Sequence, residues 1–320
     1  MSIPRILFRK GCFIFEEGVF LELITLSEGV HIVPCPSNVG VIECGGGSVV
    51  LVDSGLDDRQ IKSALTVLRE HSMTPVAVII THAHSDHFGG GSYLKASFPS
   101  LRIYSFEGEA GLLSNPYNQA MLMFGGAAPA RCLNNRLFMP KPCRADIVLE
   151  YKEQTLRIGE AEIKTLPLPG HTMFHCGVSA GGILFCADSL MSPEETEKLG
   201  LPLVVDYGAQ ENTLSRLRAC DYRVYVTAHC PPMSDPGPSI DAMEKSMQRA
   251  LNGLEALIED GPRPIYMLQS LLMDKLSVRF DGINDFFLHT HSVYAAADRL
   301  CRLGRAELVF NGKEPQLRRR

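Results

Sequence analysis

Val76, Ala77, Val78, Ile79 and Ile80 run without a break into Thr81, His82, Ala83, His84, Ser85, Asp86 and His87. A short apolar run of this kind reads as a buried strand, so the histidines gather where that strand ends. Three of the chain's 10 histidines fall within six residues, which a chance surface loop does not explain. Imidazole nitrogens and carboxylate oxygens are the donors that zinc or a similar first-row metal selects. His82 and His84, one residue apart in a turn, can face one point, while Asp86 and His87 can face a second.

Four donors from one loop do not complete two metal sites, so further His or Asp residues are expected at other strand ends. His171 follows Leu166, Pro167, Leu168, Pro169 and Gly170, where proline and glycine stop a strand. Asp188 follows the apolar run 183–187, and His229 follows Tyr225, Val226, Thr227 and Ala228. Each alone reads as an ordinary hydrogen-bonding residue. With the first cluster they make a set of seven donors.

The surrounding pattern predicts an α/β chain. Residues 29–55 read as successive antiparallel strands at 31–33, 39–43 and 48–52, with a glycine turn at 45–47. Ile61, Leu65 and Leu68 give 57–71 a helical face, with Asp57 and Asp58 at its positive end and Pro75 closing the segment. Strand 76–80 follows, then a helix from Ser85 to Phe98 and a strand at 101–104. Residues 107–144 are less regular and read as an insertion near a cleft. Within it, Met121, Met123 and Phe124 fit a core helix better than a substrate wall. Strands return at 147–151, 154–158, 161–168, 183–187 and 223–228. The proline-rich stretch 231–238 marks a boundary, giving a main domain over 1–235 and a mainly helical, winged-helix-like module over 239–320. That module places Met243, Met247, Leu251, Leu254 and Ile258 on one helical face, then a helix at 289–303 and a strand at 306–310.

In this order the elements resemble the metallo-β-lactamase superfamily over residues 20–235. His82 to His87 match its HxHxDH signature, and Pro169 to Thr172, Ala187-Asp188 and Ala228-His229 match its later elements. The resemblance implies an αβ/βα sandwich with the site at one sheet edge. It also implies two divalent metal ions, zinc first, with iron and manganese as alternatives. His82, His84 and His171 would hold one metal, Asp86, His87 and His229 the other, and Asp188 would bridge them. Asp53, in Val52-Asp53-Ser54-Gly55, resembles the residue that steadies ligating histidines in this family. Two cations sharing a water bring its pKa toward neutrality, and the resulting metal-bridging hydroxide attacks; Asp86 would either orient it and pass a proton to the leaving group, or serve purely as a ligand.

Asp188 and the overall look are similar to glyoxalase-II-like enzymes and to lactonase or thioesterase relatives, rather than to lactamases. Hydrolysis of a small thioester, lactone or related ester is therefore expected. An iron-dependent oxidoreductase of persulfide dioxygenase type is the alternative, with a phosphodiesterase or nuclease and a non-catalytic binding protein behind it. His175 departs from the family's usual glycine-containing continuation and reads as packed rather than substrate-facing.

The net charge of -5 gives no general attraction to phosphate backbones, and the basic tail 318–320 is too short to change that. The expected partner is a small-molecule substrate, not nucleic acid or membrane. The C-terminal module is expected to dimerise or to line the cleft. No apolar run approaches the roughly 18 to 20 residues that span a bilayer. Residues 1–18 carry no uninterrupted apolar segment of export-signal type, so a cytoplasmic protein is expected. The chain's 10 cysteines lack CxxC spacing and read as reduced thiols, with a Cys132–Cys143 bridge left open.

Overall fold

The computed structural model of the chain describes residues 6–9, 12–15 and 22–320. The N-terminal stretch weighed above as an export signal lies outside the described residues, apart from the backbone of an antiparallel pair, Ile6–Arg9 with Cys12–Phe15. The chain divides into two compact units.

The first unit comprises the chain up to Leu168, with Phe174–Asp188 and Asp221–Asp235. A seven-stranded sheet runs in sequence order through Ile24–Ser27, Val30–Val33, Val39–Glu43, Ser48–Val52, Thr74–Ile79, Arg102–Phe106 and Ile147–Leu149. The first four strands are antiparallel neighbours, and the pairings from Ser48–Val52 onward are parallel. A five-stranded sheet is built from Gln154–Ile158, Ala161–Pro167, Cys176–Ala180, Ile183–Ala187 and Val224–Thr227.

Strand alternation divides the core into two layers. Val49 and Leu51 point to the layer shared with Ile61, Leu65 and Leu68 of the helix Asp58–Glu70. Val50 and Val52 point the other way, toward Ile163, Val178, Phe185 and Val226 of the five-stranded sheet. The sheets approach so closely at Gly40 that an added Cβ would lie 2.6 Å from the Phe185 ring.

Several local expectations are sharpened or corrected. Pro75 lies inside the strand Thr74–Ile79, at a register shift where a missing N–H is tolerated. The single helix expected from Ser85 is two, Ser85–Phe88 and Gly91–Ser97. The chain at Ser54–Leu56 crosses this point, and a Cβ on Gly89 would fall 1.9 Å from the Leu56 carbonyl oxygen. The strand Cys176–Ala180 is not among those expected from the sequence because its small residues carry no alternation, although it is buried throughout. Cys132 and Cys143 are both free thiols, the first exposed and the second buried, so no bridge joins them.

The second unit comprises Pro169–Met173, Ser189–Cys220 and Pro236–Arg320. Its helices are Pro193–Leu199, Tyr207–Ala219, Gly237–Leu257, Leu268–Leu276 and Ile283–Arg302. Met243, Met247, Leu251, Leu254 and Ile258 are all buried, as their spacing requires. The last helix begins at Ile283, ahead of the start at His289 expected from the sequence. The basic tail is not loose: Pro315–Arg319 is the central strand of a small sheet with Arg263–Pro264 and Ala306–Phe310. Arg318 pairs with Glu307 across it. Among the described residues no helix is long and apolar enough to cross a membrane.

Candidate metal centre

Two groups of donors converge. His82, His84, His171 and Asp188 each bring one ligand atom within 4.8 Å of the others, and Asp86, His87, Asp188 and His229 do the same. Asp188 belongs to both. Its Oδ2 lies 3.3 Å from His87 Nε2 and 3.8 Å from His82 Nε2, and its Oδ1 lies 3.6 Å from His229 Nε2. All seven donors named from the sequence are therefore gathered.

The parallel strands explain the placement. Thr74–Ile79 ends just before the histidine loop, Ile183–Ala187 ends one residue before Asp188, and Val224–Thr227 ends two before His229. Strand ends of the two packed sheets collect donors distant in sequence. Asp53 (φ 62°), just past the strand Ser48–Val52, and Ala187 (φ 44°), the last residue of Ile183–Ala187, are both non-glycine and adopt left-handed backbone. Such a conformation costs on the order of 1–3 kcal/mol and is kept where the surroundings demand it.

Four of the five imidazoles are oriented by their other nitrogen. His87 Nδ1 donates to Asp53 Oδ2 at 2.7 Å, His229 Nδ1 to the Pro36 carbonyl at 2.7 Å, and His171 Nδ1 to the Leu203 carbonyl at 2.8 Å. In the neutral, ligand-competent form of all three the lone pair is left on Nε2. Thr81 Oγ1 gives its proton to Asp53 Oδ2 and so accepts from His82 Nδ1, which leaves the His82 lone pair on Nε2 as well. Asp53 thus makes the contact with a donor histidine that the steadying role implied by the resemblance calls for, and accepts also from the Thr81 amide.

The donor set fits metal ions. His87 Nε2 is buried without an aligned hydrogen-bond partner, which is costly unless something fills that position. His82 Nε2 and His84 Nδ1 face each other at 3.0 Å. Two nitrogens on one tetrahedral zinc stand about 3.3 Å apart, given Zn–N bonds of roughly 2.0–2.1 Å.

Electrostatics agree. Burial alone would raise the Asp86 carboxyl, but His87 and His229 outweigh it and hold it below the usual carboxylate range. Burial works against charge on His87, yet Asp188, Asp86 and Asp53 keep its imidazolium well above the ordinary histidine range. A cation at this position takes over the role of that proton.

Sequence reasoning missed several supporting residues. Ser37 Oγ donates to Asp86 Oδ2 at 3.0 Å. Asn38 Nδ2 donates to the carbonyls of Thr227 and Cys230, holding the turn that carries His229. Buried Glu109 accepts from the Ala83 amide at 2.8 Å, inside the histidine loop. None of these carries a spacing signal; only Pro36-Ser37-Asn38 shows as a turn after a strand. His175 is fully buried and its ring lies 4.7 Å from that of His82, so it is packed as expected. Cys186 and Cys230 are buried and hydrogen-bonded, to Val226 and Thr227. In the 107–144 segment, Met123 is buried in the helix Pro116–Met123.

A family model described as the metallo-beta-lactamase superfamily matches residues 32–229. Among curated relatives, a hydroxyacylglutathione hydrolase of Xanthomonas euvesicatoria pv. vesicatoria is 28% identical over 146 residues, 46% of this chain and 43% of that protein. Another so named, from Photobacterium profundum, is 32% identical over 143 residues, 45% of this chain and 42% of that protein. The chain spans less than half the length of these relatives. Among solved structures, a metallo-beta-lactamase family protein from Thermus thermophilus has a TM-score of 0.69 at 22% identity, covering 92% of this chain and 100% of its own. A beta-lactamase domain protein from Burkholderia ambifaria has a TM-score of 0.66 at 17% identity, covering 93% of each. These two likenesses concern the fold.

Proposed function

The chain belongs to the metallo-beta-lactamase superfamily, and from that premise we propose that it is a binuclear metal-dependent hydrolase of a small thioester, lactone or related ester. The observation that carries the reading is Asp188, whose carboxylate is common to both donor groups. One carboxylate shared by two complete groups is suited to a bridged pair of divalent cations. The relatives named hydroxyacylglutathione hydrolase favour a thioester as the first substrate class to test.

His82, His84 and His171 would hold one metal and Asp86, His87 and His229 the other, zinc being the natural choice for so many imidazoles. When bound, the pair supplies a water of near-neutral pKa and polarises the scissile carbonyl. Asp86, kept ionised and held by Ser37, orients the attacking water. Asp53, Pro36 and Leu203 fix the rings of His87, His229 and His171 so that their Nε2 atoms do not turn away during turnover.

The test combines metal analysis with a panel of thioesters, lactones and phosphodiesters assayed with zinc, manganese and iron. Two metals per chain and turnover of a thioester or lactone are expected. One iron per chain with thiol-dependent oxygen uptake overturns the hydrolase reading.

A further inference from the structure

Leu203 and Val204 share one peptide group, and side chains take both of its polar atoms. The Leu203 carbonyl accepts from His171 Nδ1 at 2.8 Å, and the Val204 amide donates to Ser292 Oγ at 3.0 Å. Ser292 and Val204 are each 1% exposed and His171 is 2% exposed. Solvent therefore offers no replacement partner if one of these bonds is lost.

Neighbouring bonds clamp the same stretch. The Val205 amide donates to the Gly170 carbonyl at 2.8 Å, and Thr213 Oγ1 donates to the Pro169 carbonyl at 2.7 Å. Gly170 has φ +139°, and a Cβ there would fall 2.4 Å from Gln210 Oε1. Contacts from Val205, Gln210 and Thr213 thus fix the loop backbone, while the ring of His171 donates to the 203–204 peptide.

We propose that Ser292, on the helix Ile283–Arg302, is a positioning residue for His171, acting through the Leu203–Val204 peptide group. Its hydroxyl fixes the plane of that peptide, and the peptide fixes Nδ1 of the imidazole as donor and Nε2 as the lone pair. The inference rests on the reading of His171 as a metal ligand. Bonds in series through one peptide polarise each other, so weakening one end weakens the other. Ser292→Ala leaves a buried amide unpaired, and the peptide can relieve this only by rotating, which draws the Leu203 carbonyl away from His171.

The full chain is compared with Ser292→Ala, Ser292→Thr and His171→Ala, reading zinc stoichiometry and affinity against a competing chelator together with the absorption of the cobalt(II)-loaded protein. His171→Ala is expected to retain one tight metal. Ser292→Ala is expected to bind one of its two metals about tenfold more weakly, with an altered cobalt spectrum, since orienting partners tune affinity on this scale. Ser292→Thr, which keeps the hydroxyl, is expected to restore both readouts. Wild-type affinity at both sites in Ser292→Ala, beside loss of one metal in His171→Ala, overturns the role of Ser292 and leaves the ligand reading standing. Two tight metals in His171→Ala overturn the ligand reading and the inference with it. If Ser292→Ala does not fold, hydrogen exchange at the Val204 amide decides. Zinc is expected to slow it in the unaltered chain and not in His171→Ala, and equal exchange with and without zinc overturns the coupling.

Discussion

Oδ2 of Asp53 and Nδ1 of His87 meet at 2.7 Å across 34 residues of sequence. The same oxygen accepts the Thr81 hydroxyl, so one buried carboxylate steadies both ends of the histidine loop. Asp53→Asn replaces an acceptor by an amide NH2 on one side, which cannot satisfy two donors. Zinc affinity at the group containing His87 is expected to fall by about 10- to 100-fold. Calorimetric titration measures it, and wild-type affinity would count against the assignment.

Asp188→Ala removes the carboxylate common to both donor groups. Both metals and hydrolytic activity are expected to disappear together. A variant that keeps two metals, or full activity, shows that Asp188 does not bridge.

Glu109→Ala takes the acceptor from the Ala83 amide, a backbone donor buried within the metal loop. An unsatisfied buried group costs about 1–3 kcal/mol, whereas Glu109→Gln keeps an acceptor oxygen and should lose less. Denaturant unfolding of the metal-free protein compares them, and equal stability of the two variants would contradict this role.

Gly89→Ala places a methyl group 1.9 Å from the Leu56 carbonyl oxygen and 2.6 Å from that of Ser85. Neither backbone atom can step aside freely, so a loss at or above the roughly 1–3 kcal/mol typical of overpacking is expected. Gly111, in the helix Ala110–Ser114, has open space around the same position. Gly111→Ala is therefore expected to be neutral or stabilising by up to about 1 kcal/mol. Thermal unfolding of the pair tests the contrast.

The carboxylates around His87 also set a pH dependence. Its imidazolium is favoured in the folded metal-free protein, so its folded pKa lies above the unfolded one. The stability this contributes to the metal-free chain is present below about pH 6.5 and is lost as the pH rises through the folded value. Zinc binding runs the opposite way, because the ligand must be neutral and its proton must leave. Zinc affinity should rise with pH, roughly tenfold per unit for each proton displaced. Titrations in buffers of different ionisation enthalpy count those protons, and a pH-independent affinity would refute the linkage.

Much of the donor set was legible because the signals are local. An apolar run ending in His82 to His87, and the residues just past the strands Ile183–Ala187 and Val224–Thr227, announce themselves within a few positions. The strand Cys176–Ala180 was not legible, since Cys, Gly and Ser acquire strand character only when flanked by partners on both sides. The break at Gly89 was hidden for a related reason: what forbids a side chain there is a backbone more than 30 residues away.

The sequence by itself determined the kinds of donor and the strands that end in them, because side-chain chemistry and strand periodicity act over short stretches of chain. Only the tertiary structure decided which nitrogen of His87, His229 and His171 points inward, through Asp53, Pro36 and Leu203, and which residues stand behind the donors, such as Glu109, Ser37 and Ser292. A hydrogen bond requires two atoms within about 3 Å, and for residues far apart in sequence packing alone sets that distance.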